Sequence, residues 1–300
     1  MYYCILQRQD KMKEIQRKYL PDSEWVYIKI YAGNKTIEKI LIENIPVIIN
    51  KIKKYSLIEK WFFIRYSDPE FHLRIRFLLK NKQNTGQIIG IINERLMNLV
   101  KCDLIWKIQL DTYDRELERY KNELIEEAES IFFTDSECII SIIKKLENNE
   151  NYRWMTALKL VDSLLSDFMF DMKEKQKLLE QLSKSFKTEF GFNEFNAKQF
   201  NSKFRDNKKI IESVLNNSIT EEDFIKLLKP IRKRSRELKP VINQLFYKVE
   251  KSKNSEVIDS LLSSYIHMTM NRLFMTKNRI HELVLYDFLR RYYTSENAKC

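Results

Sequence analysis

WFFIRYSDPEFHLRIRF, residues 61–77, has the clearest strand pattern of the sequence. Two segments rich in aromatic and β-branched residues flank the tetrapeptide Ser67-Asp68-Pro69-Glu70, which is a good turn sequence. This arrangement is typical of two antiparallel strands joined by a tight connection. The sequence therefore predicts a β-hairpin, with one strand over 61–66 and the other over 71–79.

The second strand of this hairpin has two different faces, because successive side chains of a strand point to opposite sides. Its predicted apolar face carries Phe71, Leu73, Ile75 and Phe77. Its opposite face carries His72, Arg74 and Arg76. Arginine binds carboxylates through paired hydrogen bonds, so the two neighbouring guanidinium groups could hold an anionic substrate or stabilise an oxyanion. The alternative is the basic outer face of a half-buried strand.

Outside the hairpin, the N-terminal part of the chain alternates between strand and helix patterns. WVYIKIY (25–31) reads as a strand, and the apolar spacing of 36–56 predicts a helix that Pro46 interrupts or kinks. A helix at about 86–100 and a strand at 104–112 follow.

From about residue 116 onward the patterns are mostly helical. We predict two helices separated at Thr134-Asp135-Ser136, a core helix over 154–170, and further helices within 185–250, 256–274 and 282–293. The predicted class is α+β, with a mainly antiparallel sheet and helices in the N-terminal half and a helical bundle packed on it.

Composition limits the class of protein. Apolar residues form 44% of the 300, and only 4 Gly and 5 Pro occur, so one compact body is expected. The net charge of +11 favours anionic partners such as nucleic acid, an anionic membrane surface or an acidic substrate. One local basic run, IRKRSRELK (231–239), also fits an ordinary solvated helix face.

Cysteine spacing and the N-terminal sequence bear on metal binding and location. Cys4, Cys102, Cys138 and Cys300 form no CxxC pair and none is next to a histidine, so we expect reduced thiols and no metal site. MYYCILQRQDKMKE (1–14) lacks the pattern of a signal peptide, and no apolar run approaches the roughly 20 residues that span a bilayer. We therefore expect a cytoplasmic protein.

Two further constellations could take part in chemistry. Glu116 and Arg119 in DTYDRELERY (111–120) become neighbours if this segment is helical, although surface helices often carry such pairs. His267 and Asn271 share one face of an apolar helix, with Arg272 beside them. The histidine is either an acid/base group or a core residue whose hydrogen bonds are satisfied. The sequence contains no Gly-rich phosphate loop, HExxH or GxSxG motif.

Taken together, four segments resemble a known family. WVYIKIY, the hairpin, DTYDRELERY and SSYIHMTMNRLF (263–274) occur in the order found in the C-terminal elimination domain of class I lantibiotic dehydratases. This domain also occurs alone in thiopeptide-type bacteriocin biosynthesis proteins. The resemblance spans roughly 24–293 and implies a single domain over 1–300, with an α/β part at about 1–115 and a helical part at about 116–300.

The resemblance also implies a reaction. Dehydratases of this class esterify Ser or Thr of a precursor peptide with glutamate from glutamyl-tRNA, and the C-terminal domain then eliminates glutamate to leave dehydroalanine or dehydrobutyrine. By motif, His267, Arg119 and Glu116 would be catalytic. Substrate binding would fall to Arg74, Arg76, His72, Asn271 and Arg272. No cofactor or metal is expected. The expected partners are the precursor peptide, with its leader and glutamylated core, and a separate glutamyl-tRNA-dependent glutamylating subunit. A homodimer is a further expectation.

One departure from the family pattern, and two alternative functions, remain. The family often continues Arg-Tyr-Gly-Gly where this chain has Arg119-Tyr120-Lys121-Asn122, which would stiffen the loop and change how substrate approaches.

The first alternative function is that of an enzyme of the same fold that joins two dehydroalanines by [4+2] cycloaddition into the heterocycle of a thiopeptide. The second is a non-catalytic module that binds peptide or RNA.

Overall fold

The computed structural model describes residues 15–147, 149–252 and 257–299, which form an α+β fold. Its strands are β1 (Lys18–Tyr19), β2 (Trp25–Ala32), β3 (Ile58–Tyr66), β4 (His72–Leu79), β5 (Ile105–Leu110) and β6 (Tyr113–Asp114). The helices of the N-terminal part are α1 (Asn34–Lys39), a π-helical turn (Ile40–Asn44), α2 (Ile45–Lys54) and α3 (Thr85–Lys101). The later helices are α4 (Leu117–Tyr120), α5 (Ile125–Leu146), α6 (Glu150–Asp167), α7 (Met172–Glu189), α8 (Glu194–Leu215), α9 (Glu222–Ser252), α10 (Val257–Leu273) and α11 (Asn278–Asn297).

The predicted hairpin is confirmed as β3 and β4, and it lies in a four-stranded antiparallel sheet of order β3-β4-β2-β5. The register places Arg76 opposite Phe62 of β3 and Tyr27 of β2. The predicted apolar face is also confirmed, since the side chains of Leu73 and Ile75 are at most 1% exposed. The opposite face is covered as well, because His72 and Arg76 are buried. The face of β4 that carries His72 and Arg76 is therefore not a solvated outer face of the sheet.

Pro46 interrupts the predicted helix of 36–56 as expected. It lies in the first turn of α2, immediately after the π-helical turn. A proline is tolerated there because the first backbone N–H groups of a helix have no intrahelical partner. The interruption is therefore only the π-helical turn, because the backbone is helical from Asn34 to Lys54 without a non-helical break.

The break predicted near Thr134-Asp135-Ser136 is wrong, since α5 runs through it without interruption. These polar residues are buried in the helix. Thr134 donates to the carbonyl of Ser130 in the same helix, whereas Asp135 and Ser136 have tertiary partners. The Asp135 carboxylate pairs with Arg234 and Arg272, and the Ser136 hydroxyl accepts from the backbone N–H of Phe63 at 3.3 Å. Polar residues that resemble a helix cap therefore connect α5 to three other elements.

The two halves of the molecule meet along the open edge of β3. Asn271 of α10 accepts from the backbone N–H of Arg65 at 2.9 Å and donates to its carbonyl at 2.8 Å. Arg272 donates from Nε to the carbonyl of Phe63 at 2.8 Å. An edge strand otherwise presents unpaired backbone groups. Side chains of the helical half therefore complete the hydrogen bonding of this strand and fix α10 against the sheet.

Other sequence expectations can be placed on this structure. Cys102 is exposed, Cys138 is buried, and both are free thiols. Cys4, Cys300 and the segment 1–14 lie outside the described residues. Within the described part of the chain, no helix is both long and apolar enough to cross a bilayer.

Candidate functional site

Arg76 is a buried cation held by aromatic rings. Its guanidinium carbon lies 4.4 Å from the ring centre of Tyr27, 4.8 Å from that of Tyr113 and 5.3 Å from that of Phe62. The side chain is 8% exposed, and its Nε has no hydrogen-bond partner among the described residues. Aromatic faces attract a cation, but they do not accept its N–H groups as a carboxylate does.

A comparison with the other buried arginines makes Arg76 distinctive. Within the described chain, each of the others has a carboxylate partner: Arg65 and Arg153 pair with Glu38, Arg115 with Glu129, and Arg234 and Arg272 with Asp135. Burying a charge is costly unless it is paired. Arg76 is therefore the buried arginine of the described chain that has no carboxylate partner, and its substrate-binding role stays a prediction.

Arg74 lies beside Arg76 on the same face of β4 and is held in place by two neighbours. Its guanidinium carbon is 3.4 Å from the ring centre of Tyr66, and its Nε donates to His72 Nε2 at 2.9 Å. No ion pair involving Arg74 occurs among the residues described. The second arginine of the strand thus also lacks a carboxylate partner.

His72 is neutral in this arrangement. Its Nδ1 lies 2.7 Å from the carbonyl of Glu70, which can only accept, so Nδ1 carries the proton and Nε2 accepts from Arg74. Burial lowers the pKa of His72, and the charge of Arg74 lowers it further. The predicted substrate-binding role of His72 stays a prediction, and its visible contacts are those of a residue that positions Arg74.

His267 forms a pair with a buried carboxylate. Its Nδ1 lies 2.9 Å and 3.1 Å from the two oxygens of Glu282, which is fully buried. Glu282 also accepts from the Tyr286 hydroxyl at 3.0 Å and from Asn278 Nδ2 at 3.3 Å. Since Nδ1 donates to the carboxylate, Nε2 is the nitrogen that remains for a substrate.

A cleft of 440 Å³ lies at His267. Tyr66, the ring beneath Arg74, lines the same cleft, together with Asn271 and Arg279. The cleft thus joins the end of the hairpin to the histidine-bearing helix, which are far apart in sequence. Arg74, Arg76 and His72 do not line it, and Tyr66 is the residue that connects it to Arg74.

Glu116 and Arg119 form the ion pair that their spacing predicts, at 3.3 Å, and both side chains are largely exposed. They do not line the cleft of His267. The segment is nevertheless adjacent to α10, because Tyr120 stacks on Tyr265 with ring centres 5.9 Å apart. Burial raises the pKa of Tyr120 to about 12. The catalytic roles of Glu116 and Arg119 stay predictions.

Asn271 and Arg272 are engaged with the protein itself. The side-chain amide of Asn271 is used on the backbone of Arg65, and Arg272 is buried with Asp135 and Phe63. Burial lowers the pKa of Arg272. Substrate binding by these two residues stays a prediction. Their observed contacts hold α10, and therefore His267, against β3.

The loop that departs from the family pattern has an unusual backbone. Lys121 has a φ of 63° and a ψ of 146°. That combination is strained for a residue with a Cβ and is natural for glycine. The lysine therefore occupies a conformation for which the Gly of the family pattern is suited.

These observations can now be set beside known proteins. The protein family described as "Lantibiotic biosynthesis dehydratase C-term" matches residues 25–293. The chain belongs to this family. The match includes the hairpin, the Glu116–Arg119 segment and the His267 helix, so the family assignment and the cleft rest on the same elements.

Two curated relatives are much longer than this chain. Nisin biosynthesis protein NisB of Lactococcus lactis subsp. lactis is 26% identical over 97% of this chain and 28% of its own length. Subtilin biosynthesis protein SpaB of Bacillus subtilis is 24% identical over 89% of this chain and 25% of its own length. The chain thus spans about a quarter of these relatives.

Solved structures support the fold. The tRNA-dependent lantibiotic dehydratase MibB from Microbispora sp. 107891 has a TM-score of 0.71 and 20% identity, over 93% of this chain and 28% of MibB. The pyridine synthase TbtD from thiomuracin biosynthesis has a TM-score of 0.66 and 11% identity, over 91% of this chain and 100% of TbtD. At such identities the likeness concerns the fold alone.

Two residues at the cleft of His267, Glu282 and Tyr66, were not predicted from the sequence. Glu282 lies on a different helix from His267, and no spacing rule connects the two. A signal was nevertheless present, since Asn278, Glu282 and Tyr286 are four residues apart and place three polar groups on one face of α11. Tyr66 ends a strand, and its contact with Arg74 depends on the hairpin register.

Proposed function

We propose that this chain eliminates glutamate from glutamylated Ser and Thr residues of a ribosomal precursor peptide. The observation that carries the proposal is Arg76, a buried arginine without a carboxylate partner in the described chain, next to Arg74, which lacks one too. A glutamyl ester keeps one free carboxylate, whichever of its carboxyl groups forms the ester. That group supplies the anion that the two guanidinium groups lack.

The reaction requires a proton transfer, which we assign to His267. A base removes the α-proton of the esterified residue, the Cα–Cβ double bond forms, and the Cβ–O bond breaks so that glutamate leaves as a carboxylate. A neutral imidazole is suited to this at neutral pH. Glu282 holds Nδ1 and thereby directs Nε2 towards the substrate.

Negative charge develops on the amide oxygen of the substrate as the α-proton leaves. A fixed cation near that oxygen lowers the barrier. We assign this role to Arg119, with Glu116 restricting its orientation through their ion pair. Because Arg119 does not line the cleft of His267, the substrate would have to extend from the cleft towards α4.

The test uses a glutamylated peptide and mass spectrometry. The parent chain should convert the ester to a dehydroamino acid with release of glutamate. We expect His267→Ala to slow the reaction by about 10²–10⁴-fold and Arg76→Gln by about 10²–10³-fold. Arg205→Gln, an exposed arginine outside the site, is the matched control and should react like the parent. Full activity of both site variants would refute the assignment of His267 and Arg76. A parent chain that releases no glutamate from the peptide would refute the proposed elimination itself.

Glu282 provides a finer test, because it acts through His267. Glu282→Gln keeps the size of the side chain but removes its charge, so the imidazolium loses a stabilising partner. We expect kcat to fall while KM changes little. Glu282→Asp should recover part of the rate. A loss of rate that only follows a loss of folded protein, with no recovery in Glu282→Asp, would mean that Glu282 is structural only.

Cycloaddition is the second candidate, favoured by one observation. TbtD, whose name describes a pyridine synthase, matches this fold over its whole length. The two candidates differ in substrate. A linear peptide that already contains two dehydroalanines should be left unchanged by an eliminase, whereas a cyclised product from this peptide would support the cycloaddition alternative.

A further inference from the structure

A groove of 760 Å³ lies between α6 and α9, in the helical half of the molecule. Five cations line it: Lys159, Lys226, Lys229, Arg232 and Arg236. None of its lining residues is acidic, whereas a second cleft near β1 contains several glutamates. Arg232 and Arg236 belong to the basic run 231–239. Because they line this groove, that run is only partly a solvated helix face.

Three of these cations lack an ion-pair partner within the described residues. Lys229, Arg232 and Arg236 are exposed and stand at i, i+3 and i+7, which places them along one side of α9. Lys159 and Lys226, in contrast, pair with aspartates. Like charges on neighbouring turns repel one another. An anionic partner in the groove would relieve that repulsion.

The groove also presents apolar surface. Ile225, which precedes Lys229 by one helical turn, is 43% exposed, whereas Leu228 and Ile231 line the groove but are buried. Apolar side chains beside a row of cations suit a partner that has both apolar and acidic groups. The lining contains no aromatic residue, although proteins that bind single-stranded nucleic acid use aromatic rings to stack bases.

We propose that this groove binds an acidic, amphipathic peptide segment. The acidic side chains of the segment face Lys229, Arg232 and Arg236, and its apolar side chains contact Ile225. This binding does not depend on the elimination chemistry, because no residue of the groove belongs to the cleft of His267.

The experiment measures binding by fluorescence anisotropy, with the full chain and a labelled synthetic peptide whose Leu and Glu residues follow a helical pattern. The triple variant K229Q/R232Q/R236Q should bind about tenfold more weakly. The matched control K198Q/R205Q/K209Q removes the same charge from exposed positions of α8 and should bind like the parent. A peptide with Ser in place of Leu should bind more weakly than the Leu/Glu peptide, because it lacks the apolar contact.

Three outcomes would overturn the proposal. Equal weakening in both triple variants would mean that the peptide responds only to the net charge. Unchanged binding in K229Q/R232Q/R236Q would place the peptide elsewhere. Single-stranded RNA that bound more tightly than the peptide, and lost binding in that variant, would make the partner a nucleic acid. In each case elimination by the His267 cleft could still be assayed separately.

Discussion

Arg76 and Arg115 show how two buried arginines can differ in what they contribute. Arg115 forms two hydrogen bonds of 2.7 Å with Glu129, and both side chains are buried. Arg76 lies among aromatic rings with no carboxylate in the described chain. Removing one partner of a buried ion pair leaves the other charge unpaired, which is strongly destabilising. Removing Arg76 leaves no such charge.

We therefore predict that the free energy of unfolding separates these two residues. Arg115→Gln should lower the free energy of unfolding by about 3–5 kcal/mol, because it leaves the buried Glu129 without its partner. Arg76→Gln should lower the free energy of unfolding by only about 2 kcal/mol, the size of a desolvated cation–π contact, although the variant loses activity. Urea unfolding followed by tryptophan fluorescence measures both. An equally large loss of stability in Arg76→Gln would assign Arg76 to the core.

The lowered pKa of His72 lets us predict how the stability of the fold depends on pH. Its pKa in the folded chain lies below the ordinary value of 6.5, so below that pH the unfolded chain binds the proton more readily. Stability should therefore fall as the pH is lowered from about 6.5 towards the folded pKa, by up to about 1.4 kcal/mol per pH unit. His72→Gln should show a shallower slope over this range. His281, whose pKa burial also lowers, is present in both proteins and cancels.

At the scale of elements, the turn between α4 and α5 combines a strained backbone with a departure from the family sequence. Lys121 holds a φ of 63° with an extended ψ, while Asn122 has no positive φ. Such strain is estimated at about 1–3 kcal/mol for a residue other than glycine. The position of the lysine, between the Glu116–Arg119 pair and α5, makes this turn a place to test whether stiffness affects substrate access.

Lys121→Gly should stabilise the chain by about 1 kcal/mol or more, because it relieves this strain. Asn122→Gly should destabilise it by about 0.5–1 kcal/mol, because glycine loses more conformational freedom on folding. Thermal unfolding of the two variants measures the difference. If both substitutions lower the melting temperature alike, the strain at Lys121 is not significant. Comparing KM for the glutamylated peptide shows whether the turn limits access.

At the scale of the whole molecule, the edge of β3 makes the two halves depend on each other. Ser136, Asn271 and Arg272 supply the hydrogen bonds that a further strand would supply in a larger sheet. Without the helical half, the backbone groups of Phe63 and Arg65 would lose these partners. The single domain over 1–300 stays a prediction, and this shared edge is the reason to expect it.

We predict that both halves unfold in one transition. In Trp154→Phe, the remaining tryptophans, Trp25, Trp61 and Trp106, report on the N-terminal half, while far-UV circular dichroism reports mainly on the helices. The two urea curves of this variant should have the same midpoint, as a two-state transition requires. Separate midpoints would show that the halves are independent domains.

The local elements of this protein could be predicted from the sequence. The hairpin, its apolar and basic faces, the α+β order and the ion pair of Glu116 with Arg119 all follow from periodicity, turn chemistry and helical spacing, which act over a few residues. The family pattern in those same segments pointed to the family that the comparisons then confirmed.

The hydrogen-bond and ion-pair partners of the buried polar groups, in contrast, depend on how distant parts of the chain pack together. Thr134-Asp135-Ser136 failed as a helix break because Arg234, Arg272 and the backbone of Phe63 supply partners from distant parts of the chain. For the same reason, spacing could predict neither the pairing of Glu282 with His267 across two helices nor the absence of a carboxylate partner at Arg76. Burial makes an unpaired charge costly, and burial is a property of the packed molecule, not of a short segment.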